Sequence, residues 1–328
     1  MSSIGKRKKR RALCIFVTRG CTCAALCEYH GHALQTKTTF LLIVGFVLLW
    51  NSGFIGAEYG LPYAGPFSLL FWRYLILTLL LLGYLAVRNR LAWKGWHAVS
   101  RQMVIGVLSH GVWLGCVLLA LDYHVPAGII ALVVALQPLA TGAFSGLATG
   151  EKAQAKQWIG LCIGFLGVGI TVSLRIDYQS SASLFGHLIP LGSVIAITLA
   201  SLLQRRMDLQ GETVHMAVDL RLLYQSAATA LVLLPPAWFA ESLAASWQPP
   251  FVYTMLWLIG AVSLGAYALM WLLLKRMDAI RVASLFYLGP PVTMVMAWLA
   301  FGNVLLVSDV VGMIIVFIGV MITYGKSW

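Results

Sequence analysis

Residues 131–171 read ALVVALQPLATGAFSGLATGEKAQAKQWIGLCIGFLGVGIT, and residues 283–323 read ASLFYLGPPVTMVMAWLAFGNVLLVSDVVGMIIVFIGVMIT. The two stretches align without a gap at a constant offset of 152, and 14 of the 41 positions are identical. Chance identity in so apolar a chain is about a tenth, so the match marks an internal duplication. The chain therefore contains two copies of one unit.

The composition places both copies in a membrane. The chain is 60% hydrophobic and 10% charged, with a mean hydropathy of +0.86, whereas soluble domains are about 25% charged. Continuous apolar runs of about 18 or more residues are typical of spanning helices, and barrel strands would alternate instead. Ten such runs occur, at 38–57, 66–87, 102–121, 126–148, 157–174, 184–203, 219–240, 252–274, 280–301 and 307–325.

The number of runs in each copy predicts how the copies are arranged. Each copy holds five, and an odd number makes the second copy enter the membrane in the opposite orientation. We therefore predict an all-α polytopic membrane protein of ten transmembrane helices, built from inverted five-helix repeats at 38–175 and 183–325. Inverted repeats are typical of secondary transporters, which bind their substrate near the midplane between the repeats.

Basic residues are unevenly distributed over the connecting segments. If the N-terminus is cytoplasmic, 21 of the 23 Lys and Arg residues lie in cytoplasmic segments, while Arg175 lies in an external loop and Arg73 inside a run. This positive-inside bias predicts that both termini are cytoplasmic in a bacterial inner membrane. The net charge of +12 thus comes mainly from basic residues in the cytoplasmic segments. This distribution argues against a nucleic-acid partner.

Residues 1–37 differ from the rest of the chain. They contain the basic run Lys6–Arg11 and four of the six cysteines, but no apolar run long enough to span. We expect a disordered cytoplasmic tail that touches anionic lipid headgroups, which makes membrane lipid a partner. The cysteine spacing matches no standard zinc pattern, and neither a metal nor a cofactor is expected.

One charged residue, Arg73, lies deep inside an apolar run, whereas the others lie at the run ends or in the connecting segments. Arg73, in Phe71-Trp72-Arg73-Tyr74, is about seven residues inside the outer boundary, or roughly 10 Å deep at 1.5 Å per residue. A charge at that depth needs a cavity or a partner, so Arg73 and Tyr74 are candidate substrate contacts. The alternatives are an arginine that reaches outward to the headgroups, or one that pairs with Glu58.

Further hydrogen-bonding groups lie within the first and third runs. Trp50, Asn51 and Ser52 end the first run, and Ser109 and His110 lie in the third. Polar groups at this depth face the bundle interior, either as the wall of a substrate cavity or as contacts between helices. His110 could also carry a proton, although a neutral imidazole bonded to the backbone is the alternative.

A second repeated motif is shared by the third and the eighth runs. The motif Gly106-x-x-Ser109-His110-Gly111 recurs as Gly260-x-x-Ser263-Leu264-Gly265 at an offset of 154. Glycines at such positions let helix backbones approach closely. Tyr267 follows in the eighth run and is a further candidate substrate contact.

Paired prolines mark the fourth and ninth runs. Proline removes a backbone donor, so Pro138 and Pro290 predict helix interruptions at matching places, which point to a transporter binding site. Gln137 and Tyr287 are the candidate contacts beside them. Small residues in Gly142-x3-Gly146-x3-Gly150 either pack within the bundle or mediate a homodimer.

Together these residues resemble the EamA-type permeases of the drug/metabolite transporter superfamily over residues 38–325. The resemblance rests on Trp50-Asn51-Ser52, Arg73-Tyr74, the Pro138 segment ending in Gly150-Glu151, Pro290, Gly302-Asn303, Gly312 and Gly319-Val320. It implies a central cavity between two inverted repeats, peripheral fifth and tenth helices, and export of small metabolites such as amino acids. Gln137 stands where the family often has an acid, which weakens any transfer of proton coupling to this chain.

We therefore expect a secondary transporter for a small metabolite, such as an amino acid, a weak organic acid or a related amphiphile, and not an enzyme. A sugar-phosphate or nucleotide-sugar carrier is the alternative within the superfamily, although it would need several basic residues in the cavity. From other classes, an intramembrane enzyme would depend on Ser109 and His110, and a non-transporting scaffold would need no central polar residues.

Overall fold

The computed structural model describes residues 21–146, 150, 155–179, 184–210, 216–276, 282 and 285–324. Within these ranges, the side chains of 21–37, 175–179, 274 and 323–324 are outside the described part. The described residues form helices and no strand, apart from one isolated antiparallel bridge between Ala64 and Ala245.

The helical segments follow the apolar runs in chain order. They are α1 (Cys21–Gly60), α2 (Pro66–Val87), α3 (Trp96–Asp122), α4 (Ala127–Ala143), α5 (Ala155–Gln179), α6 (Leu184–Leu209), α7 (Val218–Phe239), α8 (Pro249–Leu273), α9 (Leu285–Phe301) and α10 (Val307–Tyr324).

Two boundaries differ from the sequence-based expectation. Helix α1 begins at Cys21 and so includes residues 21–37, which were expected to be a disordered tail. Extending an existing helix needs no new nucleus, so residues beside an apolar span can continue it. Helix α5 continues to Gln179, past the boundary expected at 175, while residues 1–20 and 180–183 lie outside the described part.

Length and composition make seven of these helices candidates for crossing a membrane. They are α1 from Thr38 onward, α2, α3, α5, α6, α7 and α8, whereas α4, α9 and α10 are shorter apolar helices. Many large apolar side chains face outward, among them Leu79, Leu80 and Leu231. A hydrocarbon surround accounts for such a surface, and the chain is a multi-pass membrane protein.

The helices are interrupted where the sequence predicts it. Helix α4 consists of Ala127–Val134 and Gln137–Ala143, and Pro138 lies in the first turn of the second piece. Helix α9 changes from a 3₁₀ turn to an α-helix at Gly289, just before Pro290. A proline without an N–H is tolerated in a first turn, so the predicted interruptions at both prolines are confirmed.

Helices α3 and α8 share an irregularity at their centres. A π-helical stretch covers Val107–Val112 in α3 and Trp257–Ala266 in α8. These stretches contain most of the repeated Gly-x-x-Ser motif. Wider turns of this kind are often found at functional sites.

Packing pairs each helix of the first copy with helices of the second. The contacts join α2 with α7, α4 with α9 and α5 with α10, while α3 packs on α6 and α1 on α8. Helices α5 and α10 approach so closely that a methyl group on Gly319 would lie 2.6 Å from the carbonyl oxygen of Gly160. Glycines therefore let these two helices pack backbone against backbone.

The α2–α7 pair is joined at both ends. At one end the Glu241 carboxylate accepts hydrogen bonds from the backbone N–H groups of Phe67 (3.0 Å) and Ser68 (2.6 Å), at the start of α2. A carboxylate is favourable there because the first N–H groups of a helix have no partner within it. At the other end, Arg90 and Asp219 form a salt bridge of 2.8 Å.

Candidate functional site

A cavity lies in the middle of the helices, between α1, α2, α3 and α8. It is narrow, with a volume of about 40 Å³. Its lining is mostly apolar and aromatic, with a few polar groups. The lining residues are Trp50, Gly53, Phe54, Ala57, Arg73, Tyr74, Leu77, His110, Trp113, Leu114, Val117, Leu118, Leu222, Val262, Ser263 and Tyr267.

Arg73 brings the charge into this cavity. Its side chain is only 5% exposed, and its Nε and Nη2 atoms donate to the Ser263 hydroxyl at 3.2 and 2.9 Å. The guanidinium carbon lies 5.6 Å from the ring centre of Tyr74, close enough for a cation–π contact. The third nitrogen, Nη1, has no hydrogen-bond partner among the described residues.

The alternative pairing of Arg73 with Glu58 does not form. Arg73 bonds to the hydroxyl of Ser263 instead. One carboxylate oxygen of Glu58 is buried without a hydrogen bond. Arg73 is thus a buried cation without a carboxylate partner in the described part of the chain, which makes the cavity attractive to an anion.

His110 forms the opposite wall. Its Nε2 atom lies 3.3 Å from Oε1 of Gln225 on α7. Its ring is 5.3 Å from the ring of Tyr74 and 6.2 Å from that of Tyr267. The predicted contacts Trp50, Arg73, Tyr74, His110 and Tyr267 thus lie around one space.

A second cavity of about 120 Å³ adjoins the first. It shares the aromatic wall of the first and reaches the interrupted helices α4 and α9. The lining consists of Trp50, Asn51, Phe54, Trp113, Ala131, Val134, Ala135, Gln137, Pro138, Ile197, Tyr267, Phe286 and Gly289.

The two predicted amides have different roles here. Asn51 is fixed, because its amide nitrogen donates to the Val47 carbonyl (2.7 Å) and its oxygen accepts from Thr293 (3.1 Å). Gln137 lines the cavity, and its amide has no hydrogen bond to another described residue. Gln137 is therefore the amide that is available to a ligand.

Three predicted contacts lie elsewhere. Ser52 accepts a hydrogen bond from Trp257 (3.0 Å) and lines a separate groove on the outer surface of α1, α8 and α9. The Ser109 hydroxyl donates to the Ile105 carbonyl in its own helix (2.7 Å). Tyr287 packs against the main apolar core and lines neither cavity.

Several cavity residues escaped the sequence analysis. Ser263 was seen only as part of a glycine motif, although it holds Arg73. Trp113 gave no signal, since it is one of 12 tryptophans. Gln225, which contacts His110 from α7 without lining either cavity, was also missed, although it lies as deep in its helix as Arg73 does. The Trp113 indole N–H is buried without a partner, so a wall residue of both cavities keeps an unused donor.

The geometry supports binding rather than bond-breaking chemistry. The pair Ser109–His110, on which an intramembrane enzyme would depend, is not formed, because the Ser109 hydroxyl is bonded to its own backbone. Nucleophilic catalysis needs the base within hydrogen-bond reach of the nucleophile. What remains is a cation, an indole N–H and an amide in an aromatic cavity.

Comparison with known proteins gives related transporters. The chain is 25% identical over 299 residues to "Uncharacterized transporter YvbV" of Bacillus subtilis, covering 90% of this chain and 94% of the relative. It is 21% identical over 300 residues to "Probable amino-acid metabolite efflux pump" of Salmonella typhimurium, covering 88% and 95%. A solved crystal structure shares the fold with a TM-score of 0.60 at 17% identity, covering 88% of this chain and 98% of that chain.

The model of one protein family matches this chain twice, at residues 37–173 and at 184–325. The two matches together cover most of its length. Its relatives are named as transporters, and none of those quoted above is named as an enzyme. The chain belongs to the EamA-like transporter family.

Proposed function

We propose that the chain is a secondary transporter that exports a small amphiphilic carboxylate, such as an amino-acid derivative or a weak organic acid, across the bacterial inner membrane. In this proposal α1–α5 and α6–α10 are inverted repeats that all span the membrane, with both termini in the cytoplasm. The substrate binds in the two adjoining cavities and is passed across by alternating access.

The burial of Arg73 without a counter-ion carries this proposal. Removing a cation from water is unfavourable unless an opposite charge and hydrogen bonds compensate. Ser263 supplies hydrogen bonds but no negative charge. A substrate carboxylate at the open side of the guanidinium would supply that charge, and it could accept from two nitrogens at once.

The rest of the lining supports an amphiphile. Aromatic side chains separate the two cavities. The ring centre of Trp50 lies 5.0 Å from that of Phe286 and 5.5 Å from that of Tyr267. Such walls favour an apolar body, while Gln137 offers an amide to a second polar group. Among the described lining residues, Arg73 is the only arginine or lysine, which favours one carboxylate over the phosphates of a nucleotide sugar.

The proposed direction and substrate class rest on the name of a relative, and the proposed orientation in the membrane rests on the distribution of basic residues. The Salmonella typhimurium relative is named as an amino-acid metabolite efflux pump, and we propose the same direction here. The cytoplasmic placement of both termini rests on the bias of basic residues toward one side.

The experiment is untargeted mass spectrometry of medium from cells that express the protein, Arg73→Ala, Arg73→Lys or no transporter. We expect a carboxylate metabolite to accumulate outside only with the intact protein. Arg73→Ala removes the charge and abolishes export, whereas Arg73→Lys keeps the charge without the planar fork and retains partial export. Export by Arg73→Ala at the level of the intact protein, with equal amounts in the membrane, would overturn the proposal.

A further inference from the structure

A second arginine faces an aromatic ring between the helices. Arg221 lies in the first turn of α7 and is half-buried. Its guanidinium carbon lies 5.9 Å from the ring centre of Trp271, near the end of α8, which is close enough for a cation–π contact. Arg73 faces Tyr74 in the same way, at 5.6 Å. The same pair of groups thus occurs at two places in the molecule.

The donors of Arg221 are not used by the described part of the protein. Its Nε atom is buried without a hydrogen bond, and its guanidinium forms no ion pair with a described acidic side chain. Asp219, the nearest acid in the sequence, is engaged elsewhere, since Oδ2 pairs with Arg90 (2.8 Å) and Oδ1 accepts from the N–H of Leu220 (3.0 Å). A partly buried cation without a negative partner is unfavourable, so this position gains from binding an anion.

The contact of Arg221 with Trp271 lies next to the first cavity. Arg221 adjoins the lining residue Leu222 in the sequence, and Trp271 follows the lining residue Tyr267 by four positions, although neither Arg221 nor Trp271 lines a cavity itself. Residues four apart share one face of a helix, and four residues rise about 6 Å. The contact therefore lies about one helical turn from Tyr267, toward the basic loops that precede α7 and follow α8.

Side chains, rather than closely packed backbones, join α7 and α8 at this place. In the described chain α7 packs on α2 and α3 and α8 packs on α1, but α7 and α8 are not a closely packed pair. The long side chain of Arg221 and the indole of Trp271 meet across this separation. Two side chains change rotamer far more readily than packed helices move apart, so a small molecule can displace them.

We propose that Arg221 and Trp271 form a first binding site for the carboxylate substrate on the side of the basic loops, from which the substrate moves on to Arg73. This rests on the proposed transport function. The guanidinium binds the carboxylate and the indole packs on the apolar body, which is the chemistry that Arg73 and Tyr74 offer in the cavity. A cation at the approach to a narrow cavity also raises the local concentration of an anionic substrate.

The site is tested with charged thiol reagents at a single cysteine, Leu222→Cys, in the full-length chain with its six native cysteines changed to serine. An anionic sulfonate or a cationic ammonium methanethiosulfonate is added from the basic-loop side of sealed vesicles of zwitterionic lipid. We expect Arg221→Gln to lower the ratio of the anionic to the cationic labelling rate about tenfold, because it removes the nearby charge. Arg221→Lys should retain most of the ratio. An unchanged ratio in Arg221→Gln would overturn the site.

The matched control is Arg205→Gln, which changes the net charge by the same amount. Arg205 is exposed near the basic-loop end of α6, and its loss should leave the ratio unchanged. Equal labelling of all variants by a neutral maleimide shows that the cysteine is equally accessible, so a lost preference reflects charge and not misfolding.

Benzoate is the carboxylate probe, and it separates this site from the one at Arg73. We expect benzoate to slow the anionic reagent in the parent and in Arg73→Ala, but not in Arg221→Gln. Loss of protection in Arg73→Ala would place the carboxylate in the cavity alone and overturn the first site. Protection that persists while Arg73→Ala exports normally would remove only the proposed role of Arg73.

A lipid phosphate is the other anion that could reach Arg221. If phosphatidylglycerol in the vesicles abolishes the part of the ratio that depends on Arg221, the arginine binds headgroups and the proposal fails. In export assays we expect Arg221→Gln to raise KM about fivefold at low ionic strength without changing the maximal rate, and this effect should shrink as salt is added. An unchanged KM would likewise contradict a role in substrate binding.

Discussion

Arg73 and Gln225 lie at corresponding positions of the two copies, at the offset of 152, but their side chains differ in charge and in hydrogen bonding. Arg73 bonds to a single hydroxyl, that of Ser263, and keeps one nitrogen without a partner in the described part of the chain. Gln225 uses both ends of its amide, one toward His110 and the other toward Gln102. One copy therefore keeps an unused donor in a cavity, while the other has its hydrogen bonds satisfied.

The two positions therefore differ in what they offer: Arg73 has a free donor for a ligand, whereas the bonded amide of Gln225 holds helices together. A satisfied amide network stabilises the packing around it, but it has little to offer a ligand. A buried cation with spare donors destabilises the empty site and gains most from an anionic ligand. The two halves share helix positions but differ in chemistry at this one, where the first carries a cation in the cavity wall and the second a hydrogen-bonded amide.

The largest effect is expected where Arg73 loses its hydrogen-bond acceptor. Ser263→Ala removes the acceptor that orients Arg73, and hydrogen bonds to charged groups contribute about 1.5–3 kcal/mol. We expect KM for the exported metabolite to rise about tenfold with a smaller change in the maximal rate, as measured by export at graded substrate concentrations.

The corresponding serine of the other copy is the control for this change. Ser109 bonds only to the backbone of its own helix, so Ser109→Ala should leave KM unchanged. Equal effects of the two serine variants would show that the asymmetry between the copies does not extend to binding.

A smaller effect is expected from removing the hydrogen bonds of Gln225. Gln225→Leu leaves the partners of the amide, His110 and Gln102, without their bonds, and unsatisfied buried groups cost about 1–3 kcal/mol. We expect a lower Tm in detergent, measured by the fluorescence of the purified protein. Gln137→Leu removes an amide that has no hydrogen bond to another described residue, and it should leave Tm nearly unchanged.

The smallest effect is expected at the ends of the α2–α7 pair. The Arg90–Asp219 salt bridge is partly exposed, with side-chain exposures of 46% and 21%, and exposed pairs contribute about 0–1 kcal/mol. Asp219→Ala should therefore lower Tm only slightly. Glu241→Gln, at the opposite end, should lower it more, because it removes the charge that accepts from two N–H groups of α2. A larger loss for Asp219→Ala would contradict this ranking.

Sequence patterns predicted the helices well and the cavity in part. Apolar runs and prolines located the interruptions at Pro138 and Pro290, because these depend on local backbone chemistry. The depth of Arg73 in its run made it a candidate site residue, and the structure places it in the cavity wall. Its partner was wrong, since Glu58 was considered and Ser263 is bound, 190 positions away along the chain.

The sequence by itself determined that the chain is a duplicated, multi-helix membrane protein with one buried cation, because periodicity, repeats and charge are local properties of the chain. Only the tertiary structure decided which polar groups meet. Ser52 and Ser109 share the polarity of the cavity residues, yet they turn to an outer groove and to their own helix. Helix rotation and the close contact of α3 with α7 at Gly106 fix these partners, and both arise from the packing of segments that are far apart in the sequence.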